Sequence, residues 1–462
     1  WGHSTWKLDS GGFDHNEHRQ KRLAKEVEAA FPDVAELVRF LSERLIDLNR
    51  YCEESLQSAQ LLVNRLMDSQ ITLAREIFDA SQRNPQSPLA GYCSFALSAL
   101  LRQAPSEAHE RIGELIAHDE VHLPFVASAY SKGALVGRQL NDDDRGIIRQ
   151  VFRSDDASVL GCTLWIFREV AERDKQFAIE LLANANPALA HASKGKIFRW
   201  LDGDKLIPFD SISDEDLERI IQQLFITPDR LDEYFMREFL MRTARRNPRQ
   251  VLELVKSRLD RAIAEDDWNY SPIGGLDNAA QSLNFLQYPE GATMFRETLD
   301  WALPKATGYK FSYRFADLVA GVFGFAEPVF TSTLEFWSVG GNDRHFAVLA
   351  AVLREAPNQF VFSEHAFVVR ILRTARCVGK SACRAVSSSL FSSAISGGRS
   401  GTPGEPYPAD VDMKTCAEQV LGSLSKGDPA YALYDDMRRY AEDGIERALA
   451  EGRAMDEEDA DA

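Results

Sequence analysis

The sequence predicts an all-α protein of the HEAT- and tetratricopeptide-like (TPR-like) α-solenoid class: stacked helical hairpins with a C-terminal helical cap. Three observations carry this expectation. Helical periodicity runs through almost the whole chain; in LERIIQQLF, Leu217, Ile220, Ile221 and Leu224 fall at i, i+3, i+4 and i+7 and share one face. Strand signals are nearly absent, with no Asn-Gly hairpin and no sustained two-residue alternation. The breaks between helices recur at a spacing typical of helical-repeat arrays.

Residues 1–18 open on Trp1 and read as a disordered segment, or as a cut through a longer protein. Residues 19–85 carry longer, densely charged periodic runs and predict an N-terminal helical hairpin or a short coiled coil. Residues 86–395 are the repeat region. Each unit has the same grammar: an apolar helix ends, Pro or Asp follows, and an amphipathic helix begins two or three residues later. The strong examples turn at Pro105, Asp174, Pro248, Pro289, Pro328 and Pro357, and weaker ones lie near Asn141 and Ser213. Successive turns are 29–41 residues apart. Proline suits the first turn of a helix because its missing N–H has no partner there, and Asp caps the same position. The competing reading is a set of unrelated hairpins in a globular α domain; the recurrence favours stacking. Residues 396–462 comprise a Gly/Pro loop, two cap helices at about 409–424 and 429–452, and an acidic tail. Asp428 and Pro429 supply the cap and first residue of the second helix.

At 462 residues the chain is too long for one small core. Its net charge of −17 is uneven: residues 401–462 hold six Lys and Arg against sixteen Asp and Glu, so −10 of the total lies there. This balance argues against a nonspecific binder of nucleic acid or of anionic membranes. No run of about 18 apolar residues is present. Six scattered cysteines (Cys52, Cys93, Cys162, Cys377, Cys383 and Cys416) read as buried, reduced thiols of a cytoplasmic protein. The Phe-rich segments read mainly as core, with Phe323, Phe325, Phe330 and Trp337 at bulky hairpin positions.

Motifs that carry chemistry are weak. Gly379-Lys380-Ser381 ends like a phosphate-binding loop, but Thr374 stands where that loop needs Gly, and the preceding run is helical. Arg370, Arg373, Lys380 and Arg384 instead predict a basic stripe along one helix, able to dock the acidic tail. Arg242, Arg245, Arg246 and Arg249 form a second basic cluster at a helix end. Arg242, Arg245, Arg246 and Arg370 are the candidate nucleic-acid contacts, without the aromatic interleaving such surfaces use. His118 and His122 are four apart, but Asp119 rather than Glu follows the first, unlike the zinc-protease motif. No catalytic residue, metal or cofactor is assigned.

In SGGRSGTPGEPYPADVD, prolines fix φ and glycines permit positive φ, which predicts a shaped connector. Arg399 and Tyr407 are its candidate binding residues, Tyr407 as an anchor on an apolar groove. This segment, with the residues from Cys383 before it and the Tyr434 helix after it, resembles the C-terminal helical-repeat end of large bacterial multidomain proteins. Those proteins carry a STAND-type NTPase or an effector domain and are associated with anti-phage defence. The likeness rests on Arg399, Gly401, Thr402, Pro403, Gly404, Pro406 and Asp410 and covers roughly the last 80 residues. It implies a sensor that recognises a foreign protein or restrains an effector, with any enzymatic domain upstream. The expected function is therefore a protein-recognition or scaffolding module. A nucleic-acid-binding solenoid and a hydrolase with a concave site are the alternatives.

Overall fold

A computed structural model describes residues 21–48, 53–118, 122–189, 206–226, 233–266, 282–306, 308–402 and 404–461. Among them the structure is helical, with no strand. The chain divides into two compact units, Trp1–Pro228 and Asp229–Ala462.

The first unit contains α1 (21–30), α2 (Val34–Leu48), α3 (Glu53–Ser69), α4 (Ile71–Arg83), α5 (Cys93–Gln103), α6 (Pro105–His118), α7 (Leu123–Ser131), α8 (Asp142–Arg153), α9 (Ala157–Ala171), α10 (Lys175–Ala183) and α11 (Asp214–Ile226). Short-range chemistry starts these helices. Asn141 and Asp144 form a reciprocal capping box on α8, and the Asp174 side chain accepts from the Phe177 N–H on α10. Ser213 accepts from the Asp216 N–H and so caps α11. Chain neighbours pack in α4–α5, α5–α6, α8–α9 and α9–α10, and helices next but one pack in α3–α5, α5–α7 and α7–α9. Helix α5 lies inside this arrangement: eight of its eleven residues, from Cys93 to Leu101, are buried. The long helical hairpin expected in 19–85 is broken up, and α3 and α4 meet at the single extended residue Gln70.

The second unit contains α12 (Glu233–Arg246), α13 (Pro248–Ala264), α14 (Gly291–Ala302), α15 (Tyr309–Val322), α16 (Val329–Ser338), α17 (Asp343–Arg354), the single turn α18 (Phe360–Ser363), α19 (His365–Val378), α20 (Lys380–Ile395), α21 (Pro408–Leu421) and α22 (Pro429–Asp461). Again helices pack beyond their chain neighbours, in two series: α13–α15–α17–α20 and α14–α16–α19–α22. A chain of rings runs through the core. Phe285 meets Phe323 at 5.9 Å, Phe323 meets Phe295 at 4.9 Å, and Phe295 meets Phe330 at 5.7 Å. Phe330 then meets Phe360 at 5.7 Å and Phe360 meets Phe367 at 5.9 Å. Each such pair adds about 0.5–1.5 kcal/mol beyond its area burial.

Polar contacts join helices that are not chain neighbours. In the first unit Arg75 pairs with Glu107, 32 residues on, and Arg149 with Glu180, 31 residues on. His109 and Asp144 are 35 apart. In the second unit Trp337 donates to Asp300, 37 residues away, and Arg370 to Glu335, 35 away. These separations fall within the 29–41 residues between successive turns.

Candidate functional site

The Gly/Pro loop lines a concavity of the second unit. It leaves the end of α20 at Ser396, whose hydroxyl meets Asn358 Oδ1 at 3.2 Å. Arg399 Nε then donates to Asp410 Oδ1 at 2.6 Å, and its guanidinium lies 4.8 Å from the Tyr440 ring centroid on α22. Asp410 is fully buried, and its Oδ2 has no hydrogen-bond partner among the described residues. Gly404 adopts φ +85°, and a Cβ placed on it would stand 2.8 Å from Cα of Gly452. The loop backbone therefore rests directly on α22, which only glycine permits on both sides. Gly444 makes similar room: a Cβ there would lie 2.5 Å from Asp410 Oδ2.

Beside the loop lies a cleft of about 710 Å³. Phe362, Ile395 and Met413 give it apolar walls, and Asn358, Arg399 and Thr415 give it hydrogen-bonding groups. This size and mixed lining suit a small amphiphilic ligand or a short peptide segment. Cys416 also lines the cleft, but no histidine does among the described residues, so no Cys–His nucleophile is assembled there.

The sequence-derived residues do not gather at one place. Arg399 lines the cleft, whereas Tyr407 is half-buried at the start of α21, against Gly401. The basic stripe is not on one helix: Gly379 separates α19 from α20, so Arg370 and Arg373 lie on a different helix from Lys380 and Arg384. Arg370 is held by Glu335, and Arg373 by Asp428, the residue that caps α22. Arg249 is paired with both Glu290 and Glu297, and Arg242 and Arg246 also have partners. Arg245 is exposed at the end of α12. His122 stands just before α7; the side chain of His118 and residues 119–121 lie outside the described residues. Of the cysteines, Cys93 alone is fully buried, and Cys377 is exposed rather than buried as expected. Cys52 lies outside the described residues.

A surface feature escaped the sequence reading. Phe336 on α16 is 67% exposed, with the Arg296 guanidinium of α14 5.2 Å from its ring centroid. Its neighbour Glu335 holds Arg370 of α19. Helix phase is the signal that was available: Phe330, Leu334 and Trp337 share the buried face at i, i+4 and i+7, and Phe336 falls off it.

No family model matches the chain, nor does any curated protein or solved structure. Among the described residues no helix is long and apolar enough to cross a membrane, and no group of three His, Cys, Asp or Glu side chains could hold a metal ion.

Proposed function

We propose that the chain is a non-catalytic protein-recognition or scaffolding module, built as an α-solenoid and acting in the cytoplasm as part of a larger bacterial protein. The observation that carries this reading is the row Arg296–Phe336–Glu335–Arg370 across α14, α16 and α19, in which Phe336 and Arg370 are exposed and Arg296 and Glu335 half-buried. Aromatic and arginine side chains dominate protein–protein hot spots. Equivalent positions of consecutive hairpins form such a row when helices stack next-but-one. The loop cleft at Arg399 offers a second contact region on the same unit. The likeness of the last 80 residues to defence proteins supports a foreign protein, or the protein's own effector domain, as the partner.

Nucleic-acid binding is the weaker reading, because Arg249, Arg370 and Arg373 are already neutralised by carboxylates. A photo-crosslinking residue at position 336, introduced in the cells that make the protein, tests the proposal. A discrete protein adduct, lost on Arg296→Glu, is expected. Crosslinking to nucleic acid alone, or salt-sensitive gel shifts with DNA or RNA and no protein adduct, would remove it.

A further inference from the structure

One end of the second unit gathers cations that form no ion pair. Arg344 of α17, Arg376 of α19 and Lys380 and Arg384 of α20 are exposed, and none of them pairs with an acid among the described residues. Arg249, Lys305, Arg370 and Arg373 of the same unit all do. The starts of α17 and α20 lie together, since a Cβ placed on Gly379 would stand 3.7 Å from Asp343 Oδ1. Asp343 offsets one of the four charges. Gly379 brings no side chain to cap α20, so the first N–H groups of that helix add to the positive end. Val339 and Val378, both exposed, precede the two helix starts. The complementary charge lies at the far end of α22. Residues 454–462 hold five Asp and Glu and no Lys or Arg, and helical phase puts Met455 on the face of Glu458 and Asp459. Within one copy the two ends do not meet. Helix α22 starts beside α19, where Asp428 accepts from Arg373 at 2.6 Å. It then passes α20 at Tyr440, whose ring is 5.6 Å from that of Phe391, and rests on the loop at Gly452. Arg376 is one turn from Arg373, whereas Asp456 is 27 residues beyond Pro429, about 40 Å along the helix.

We propose that the basic end of α17, α19 and α20 docks the acidic end of α22 from a second copy of this chain. Arg376, Lys380 and Arg384 neutralise the carboxylates of Asp456–Asp459, and Met455 meets the exposed valines. Each copy offers one basic and one acidic end, so the contact is head-to-tail and repeats into open chains or a closed ring, not a two-fold dimer. Exposed ion pairs make it weak and sensitive to salt. It uses neither Phe336 nor Arg296 and stands apart from the recognition row.

Sedimentation velocity of the full chain over a concentration series tests this. Association is expected in about 50 mM salt and should weaken about tenfold or more in about 500 mM. Arg376→Glu/Lys380→Glu/Arg384→Glu should abolish it, and so should Asp456→Lys/Glu457→Lys/Glu458→Lys/Asp459→Lys. A mixture of the two variants should associate again, because the reversed ends match each other. Carbodiimide crosslinking of mixed unlabelled and isotope-labelled native chains, read by mass spectrometry, is independent of any variant's folding: it should join Lys380 of one copy to the 456–459 carboxylates of another. The proposal is overturned if the chain stays monomeric up to about 1 mM at low salt, if either folded reversal leaves association unchanged, if the mixture of folded variants stays monomeric, or if no such crosslink between copies forms. A shift of DNA or RNA that the Arg376/Lys380/Arg384 reversal removes, without self-association, would overturn it in favour of nucleic acid.

Discussion

Replacing Arg399 with leucine removes the cation that, among the described residues, alone pairs with the buried carboxylate of Asp410. Asp410 is 0% exposed and its Oδ2 already lacks a partner, so the loss of Arg399 leaves both oxygens without a charged donor. Removing one member of a buried ion pair costs about 3–5 kcal/mol. The Arg399 side chain is 25% exposed, so part of that interaction is screened, and about 2–3 kcal/mol is the expected loss. At about 1.4 kcal/mol per factor of ten, opening of the loop and α21 should become roughly 30- to 150-fold more frequent. Hydrogen exchange read by mass spectrometry over 399–421 measures this directly, with peptides from the first unit as the internal control. Arg399→Leu/Asp410→Asn should recover part of the protection, because a neutral amide is cheaper to bury than an unpaired carboxylate. Unchanged exchange in the single variant, or a double variant less protected than the single, would refute the assignment of Arg399 as the counter-ion that holds the loop.

Three further outcomes follow from other parts of the structure. Asp144 accepts from Tyr130 Oη at 2.7 Å, from His109 Nε2 at 2.9 Å and from Arg138 at 2.5 and 2.6 Å. Burial pushes its pKa up, but the bonds from His109, Arg138, Tyr130 and the Asn141 N–H outweigh this and hold it well below the usual carboxylate range. Its stabilisation is therefore complete above the unfolded value of about 4 and lost as pH falls towards the folded one. Asp144→Asn should cost about 2–4 kcal/mol near pH 7 by urea unfolding, and the gap from the native protein should close only below about pH 4; a gap already closed at pH 6 would be inconsistent. Phe330→Ala should cost about 3–5 kcal/mol, since its ring meets those of Phe295, Phe325 and Phe360, whereas Phe336→Ala should stay within about 0.5 kcal/mol; equal losses would contradict the burial pattern. Burial raises the Cys93 thiol to about 11, so maleimide at pH 8 should label exposed Cys377 first and leave Cys93 unlabelled until unfolding; comparable labelling rates would count against it.

Much of the fold is legible because it is written in short-range chemistry. The turns at Pro105, Asn141, Asp174, Ser213, Pro248, Pro289, Pro328 and Pro357 each stand within three residues of a helix start. Pro429 opens α22 as its sequence implies, although that helix continues to Asp461. The misjudged break at Gly379 is instructive. Apolar periodicity continues on both sides of it, in α19 and α20, and a pattern of faces alone does not reveal that the axis changes there.

The candidate site was much less legible. The sequence marked the loop as shaped, and it marked Arg399, but not Asp410 as the buried partner or α22 as the surface beneath. Nor could composition tell Phe330, in the core, from Phe336, six residues on and facing water.

By itself the sequence determined where many helices begin and that the described residues hold helices and no strand. Caps, first-turn prolines and helical phase act over three or four residues, so one chain segment contains all the needed information. Tertiary structure alone decided which arginines are already neutralised and which rings meet. Arg373 and Asp428 are 55 residues apart, and Tyr434 and the Val361 carbonyl are 73. Such partners are brought together by the stacking of whole helices, and no local preference of either residue encodes that meeting.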